Sequence, residues 1–170
     1  DRCCEAAEKL PFRPDIIINI QGDEPFINPQ QIDDLAHVFQ QKTATQIATL
    51  IKKIEDTKTL FDENKPKVVV NTKKEALYFS RQTIPFVRQE AKKSWLSKQT
   101  FYKHIGIYAY RFDVLKQITK LPVSRLEKSE KLEQLRWLEH GFSIQTAVTQ
   151  YESMSIDTPQ DLERMLLMSF

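Results

Sequence analysis

The chain has 170 residues, with 25 Lys and Arg against 23 Asp and Glu and a formal charge of +2. That length supports one globular domain over residues 1–170 with a core of its own, and excludes a peptide that needs disulfides or a metal to fold. The even charge excludes a nucleic-acid or membrane footprint built on charge alone, so any acidic ligand has to be held by local groups. The cysteines are adjacent, Cys3 and Cys4, which suits neither a structural disulfide nor a zinc site and points to a reducing, cytoplasmic compartment. No apolar run approaches the roughly 18 residues of a membrane span, and Asp1-Arg2-Cys3-Cys4-Glu5 lacks the features of a signal peptide. Glycine occurs three times, at Gly22, Gly106 and Gly141, where ordinary usage would give about 12. The chain therefore carries no glycine-rich loop to wrap phosphates.

Residues 3–10 predict a short helix stopped by Pro11, already under way where the sequence starts. Ile16-Ile17-Ile18-Asn19-Ile20 is apolar on both faces and β-branched, the pattern of a central parallel strand covered on each side. Asn28-Pro29 is a favourable N-cap and first-turn pair for a helix carrying Ile32, Leu35, Ala36 and Phe39. Strands are predicted over 46–54, 67–71 and 76–80, with a loop at 62–66 between the first two. The polar stretch 89–99, with Trp95 and Leu96 isolated in it, fits either a mobile loop or a solvated helix. From His104 to Tyr110 the chain alternates as a strand, Ile105, Ile107 and Ala109 on one face and His104, Gly106, Tyr108 and Tyr110 on the other. Phe112 to Leu121 predicts a helix, and Ser124-Arg125-Leu126-Glu127 a capping box opening another that runs to His140 and stops at Gly141. A strand at 143–149 and a last helix capped at Thr158-Pro159 complete the pattern. Strands alternating with helices argue for a three-layer α/β domain with a mixed sheet.

Ligands of open α/β sheets sit beyond the carboxyl ends of strands, which draws attention to Gln21, Asp23 and Glu24. An aspartate leaving a buried strand can hold Mg²⁺ together with substrate phosphates and water, or simply cap the turn before Pro25. Asp157, one residue before a helix N-cap, has the helix dipole as its plain explanation. Glu133 and Gln134 flank a stripe of Leu132, Leu135 and Leu138 and are most simply solvated positions. Arg81, at the exit of a strand, suits a bidentate clamp on a carboxylate or phosphate, or a surface ion pair. His104 and Tyr108, with Gly106 between them, leave a hollow for a polar ligand, or make a satisfied core histidine.

Five strings in order carry a family resemblance: Ile20-Gln21-Gly22-Asp23-Glu24-Pro25, Ala76-Leu77-Tyr78-Phe79-Ser80-Arg81 with Ile84-Pro85, His104-Ile105-Gly106-Ile107-Tyr108, Leu132-Glu133-Gln134-Leu135-Arg136, and Asp157-Thr158-Pro159-Gln160-Asp161-Leu162-Glu163. With them the chain resembles the 3-deoxy-manno-octulosonate (KDO) cytidylyltransferases over nearly its whole length. The resemblance implies a nucleotidyltransferase-like, Rossmann-related α/β/α fold, CTP and KDO as substrates, CMP-KDO and pyrophosphate as products for lipopolysaccharide synthesis, and Mg²⁺ as cofactor. It implies that Asp23 and Asp157 meet at the metal as catalytic residues, and that Arg2, Gln21, Arg81, His104, Tyr108, Glu133 and Gln134 bind substrate. A homodimer to which Lys103 to Tyr110 and its neighbouring strands contribute is implied as well. The family's opening strand and basic, glycine-containing nucleotide loop have no counterpart here, so an N-terminally truncated domain is expected. A fragment acting only as a sugar-binding or dimerisation module, or an enzyme for another sugar acid such as N-acylneuraminate, are the alternatives.

Overall fold

The computed structural model describes residues 2–22, 24, 27–152 and 163. In chain order the elements are α1 (Arg2–Glu8), β1 (Ile16–Asn19), α2 (Pro29–Gln41), β2 (Ile47–Lys53), α3 (Thr57–Phe61), β3 (Lys67–Val70), β4 (Ala76–Ser80), α4 (Trp95–Lys98), β5 (Tyr102–Arg111), α5 (Phe112–Ile118), α6 (Arg125–Glu130), α7 (Gln134–Glu139) and β6 (Ile144–Val148). The helix expected after Thr158 lies outside the described residues.

The sheet runs β4-β3-β5-β2-β6 and is mixed, β2 and β6 being parallel and the other neighbours antiparallel. β1 pairs antiparallel with β5 and is half-buried, which corrects the expectation of a central parallel strand: a β-branched apolar run reports burial, not strand direction. Helices cover both faces, as the three-layer reading expects. Ile105, Ile107 and Ala109 join Ala48 and Leu50 beneath Leu35 and Phe39 of α2. Tyr108 and Tyr110 pack on the opposite face with Val114, Leu115 and Ile118 of α5 and Leu135 and Trp137 of α7.

β5 is the axis of the fold. On one edge β1 ends at Asn19 opposite Tyr108, while β3 starts with Lys67 opposite Lys103. Ile105 to Ile107 consequently have no strand beside them on that edge among the described residues. On the other edge Thr49 pairs with Tyr108 but Leu50 with Ile105, so Gly106 and Ile107 form a bulge. Two inserted residues leave the alternation of faces intact. Lys103 to Tyr110 is this middle strand, with β2 on one edge and β3 and β1 on the other.

Local chemistry explains most helix boundaries. Asn28 caps α2 through its side chain and Gln31 closes the capping box. Asn28→Ala is expected to lower stability by about 1 kcal/mol, read as a lower urea midpoint with unchanged m. Ser124 and Glu127 form the expected box at α6. The single helix expected from Arg125 to His140 is instead two, because Lys131 adopts a left-handed conformation (φ 54°, ψ 44°) and ends α6. Arg136 then ties the two pieces, its Nε donating to Glu127 Oε2 at 2.7 Å and its Nη2 to Oε1 at 2.6 Å. Gly141 follows α7 with φ 83°, a conformation glycine adopts without a Cβ penalty.

The 89–99 stretch is neither a mobile loop nor a fully solvated helix. Trp95 is buried with Ile54, Leu60 and Phe101, and its indole N–H donates to Glu90 O at 3.1 Å. α3, unexpected from sequence, contributes Leu60 to this small core and is capped by Asp56, whose carboxylate accepts from Thr59 N–H at 2.7 Å.

Candidate functional site

The opening beside β5 organises the site. As β1 ends, the chain turns so that Glu24 N–H donates to Gln21 O at 3.1 Å, leaving Gln21 exposed and Glu24 buried. A Glu24 carboxylate oxygen lies 3.4 Å from where a Cβ on residue 106 would stand. The turn thus closes over the strand at Gly106, within contact distance. Asp23 and Asp157 lie outside the described residues.

His104 and Tyr108 sit side by side on the α5–α7 face, their ring centroids 5.2 Å apart. Phe79 of β4 meets the His104 ring edge-on at 5.3 Å. Burial pushes His104 down to about 4, so the imidazole is neutral at neutral pH. Its Nε2 lies 3.2 Å from the hydroxyl of Thr49. The Tyr108 hydroxyl is buried beside Thr49 without a well-aligned hydrogen-bond partner among the described residues. Burial, reinforced by Tyr110 and Glu133, raises the Tyr108 phenol and keeps it protonated.

The start of α7 forms the adjoining wall. Trp137 stands edge-on to Tyr108 at 5.2 Å and to Tyr110 at 5.6 Å. One turn earlier, Glu133 is largely exposed and helps line a narrow cavity of about 60 Å³ with Cys3, Asn19, Tyr110 and Trp137. Gln134 is buried, not solvated, and its amide Nε2 has no hydrogen-bond partner among the described residues. Arg2 is exposed in the first turn of α1, next to Cys3.

Arg81 stands apart from these rings. Its Nε donates to Glu130 O at 2.7 Å and its Nη1 to Glu63 O at 3.2 Å, while its N–H donates to the Glu130 carboxylate at 2.9 Å. Instead of the surface ion pair expected as its plain role, it braces the α6–α7 turn that precedes Glu133. The structure therefore gathers His104, Tyr108, Glu133 and Gln134 around β5 and α7, sets Gln21 at the opening, puts Arg2 on α1 beside Cys3, which shares a cavity with Glu133, and gives Arg81 a supporting place. Sequence reasoning missed Thr49 and Trp137. A lone polar residue in the apolar run Ile47-Ala48-Thr49-Leu50-Ile51, and a tryptophan four residues after Glu133, were the available signals.

A neutral imidazole and the unpartnered buried groups of Tyr108 and Gln134 are chemistry that suits a polyhydroxylated ligand, which supplies both donors and acceptors. A family model described as cytidylyltransferase matches residues 1–151. The chain belongs to the cytidylyltransferase family. Among relatives of this chain, the 3-deoxy-manno-octulosonate cytidylyltransferase of Cytophaga hutchinsonii is 61% identical over 166 residues, covering 97% of this chain and 66% of the relative. The enzyme of that name from Parabacteroides distasonis is 52% identical over 170 residues, covering 98% and 67%. The chain thus spans about two thirds of the length of the curated relatives it matches. A solved CMP:2-keto-3-deoxy-manno-octonic acid synthetase complexed with CTP superposes with a TM-score of 0.86 at 40% identity, over 96% of this chain and 64% of that one. A 4-diphosphocytidyl-2C-methyl-D-erythritol synthase from Anaerococcus prevotii, at 10% identity and a TM-score of 0.52 over 94% of this chain and 61% of that one, shares the fold. Among the described residues, no helix is long and apolar enough to cross a membrane.

Proposed function

We propose that this chain transfers CMP from CTP to KDO, releasing pyrophosphate, as a cytoplasmic, homodimeric enzyme of lipopolysaccharide synthesis. The observation that carries the reading is the 61% identity over 97% of the chain to an enzyme of that name, and the site chemistry agrees with it. In the proposed reaction the anomeric hydroxyl of the sugar acid attacks the α-phosphorus in line. A new O–P bond forms as the hydroxyl releases its proton to water, the bond to the bridging oxygen breaks, and its electron pair leaves with pyrophosphate. Positioning and electrostatics supply most of the acceleration.

The chain's own residues do the holding. His104 offers a neutral ring nitrogen to a sugar hydroxyl. The Tyr108 hydroxyl and the Gln134 amide are buried donors whose missing partners a sugar oxygen would replace. Glu133, on the exposed side, accepts from further hydroxyls, and Gln21 and Arg2 complete the rim. Among the described residues no group of three or more His, Cys, Asp or Glu is placed to hold a metal ion. Asp23 and Asp157 together are a donor set that suits Mg²⁺, which binds through one or two carboxylates plus phosphate oxygens and water. When bound there, Mg²⁺ would neutralise charge on the triphosphate.

The test is pyrophosphate release with CTP, Mg²⁺ and KDO. Turnover is expected, and Asp23→Ala is expected to cut it about a hundredfold or more, since even outer-shell changes at metal sites cost 10–100-fold. Release with N-acylneuraminate in place of KDO would overturn the sugar assignment, and no turnover with either would overturn the activity. Light scattering addresses the dimer, which a monomeric mass at assay concentration would refute.

A further inference from the structure

The bulge in β5 turns two carbonyls toward one buried side chain. Opposite Gly106 and Ile107, β2 has no residues of its own, and the carbonyls of Ile105 and Ile107 both turn toward the hydroxyl of Thr49, at 3.3 and 2.8 Å. Thr49 is fully buried, so water does not relieve these groups. A threonine hydroxyl has one proton and two acceptor lone pairs, and a carbonyl only accepts. Of the three groups at 2.8, 3.2 and 3.3 Å, Ile107 O is the nearest and takes the proton, while the buried Tyr108 phenol, which stays protonated, can itself donate to the Thr49 oxygen. Toward His104 Nε2, at 3.2 Å, the same oxygen has only a lone pair left to offer, so Nε2 must carry the hydrogen. In a neutral imidazole the other nitrogen, Nδ1, is then an acceptor.

We infer that Thr49 is a positioning residue that locks His104 in the Nε2–H form, so that Nδ1 reads a hydroxyl of the sugar acid and not its carboxylate. The inference rests on the proposed function for the identity of the ligand, though the tautomer itself does not. An Nδ1 lone pair attracts an O–H donor and repels a carboxylate, so the bulge sets which part of the substrate faces this ring. The carboxylate must then be met by cationic or N–H donors elsewhere on the rim. Loss of the hydroxyl would free the ring to donate from Nδ1, and the preference would invert.

Nitrogen NMR of the imidazole rings, assigned with His104→Gln, distinguishes the two tautomers in the ligand-free protein. The wild type is expected to show His104 as Nε2–H, Thr49→Val to lose that preference, and Thr49→Ser, which keeps the hydroxyl, to restore it. In the pyrophosphate assay Thr49→Val should raise KM for KDO roughly tenfold, the equivalent of one hydrogen bond, with kcat within about twofold and Thr49→Ser near wild type. An Nδ1–H ring in the wild type would overturn the inference even if Thr49→Val fails to fold. So would a Thr49→Val protein with an unchanged tautomer and unchanged KM. If the wild type does not use KDO at all, the functional reading fails, while the tautomer measurement still decides the role of Thr49.

Discussion

Arg136→Ala is expected to destabilise the protein by about 1.5–3 kcal/mol, because it takes the charged, bidentate partner from a half-buried carboxylate. The Arg136 and Glu127 side chains are only 14% and 13% exposed and meet at 2.6 Å, and the guanidinium holds the Glu127 carboxyl below its ordinary range. Glu127 also accepts from Ser124 N–H in the capping box, so the pair joins the start of α6 to α7 across the left-handed turn at Lys131. Removing one partner leaves Glu127 uncompensated and releases the turn that presents Glu133 and Gln134. Arg136→Met with Glu127→Gln keeps a capping oxygen and strands no charge, and should recover most of the loss. Chemical denaturation of the two variants decides the point: equal destabilisation would show that the charge pair is not the cause. KM for the sugar acid should rise in the single variant along with the fall in stability.

Acidification is expected to weaken the fold well before the carboxylates protonate. His104 titrates near 4 in the folded chain because burial opposes its charge, against an ordinary value of 6.5. Between those values the unfolded chain binds more protons than the folded one, so stability rises with pH. The contribution is fully present above about 6.5 and lost as pH falls toward 4. From pH 7 to pH 5 the loss should be about 2 kcal/mol, at 1.36 kcal/mol per unit of differential binding. Urea unfolding at the two pH values measures it, and His104→Gln should flatten that part of the profile. A slope that survives in His104→Gln would assign the effect to other groups. The lowered carboxyls of Glu127 and Glu75 act only below about 4.5 and do not confuse this window.

What was legible in the sequence was local. Asn28 with Pro29, and Ser124 with Glu127, announce helix starts because a cap is settled within four residues. The alternation from His104 to Tyr110 announced the two faces of β5, and the pairing of His104 with Tyr108 followed from it. The direction of β1 was not legible, since its partner lies about 90 residues away and an apolar run serves either orientation. Nor was the break at Lys131, where a lysine in a left-handed conformation carries no mark of its own and Arg136 closes the turn from the far side. Trp95 looked stranded in a polar stretch because Ile54, Leu60 and Phe101, its neighbours, come from three other places. The role of Thr49 exists only once two strands slip by two residues against each other, a register that neither strand encodes alone.

The chain has two tryptophans, and the fold sends them to separate clusters. Trp95 stacks on Phe101 at 6.2 Å in the small core built on α3 and α4, while Trp137 stands over Tyr108 and Tyr110 in the main core. Their emission is therefore separable. With Trp95 replaced by Phe, fluorescence comes from a single indole beside the site and reports its occupancy. With Trp137 replaced instead, it comes from a region remote from these rings and reports whether the small core melts together with the rest of the molecule or ahead of it.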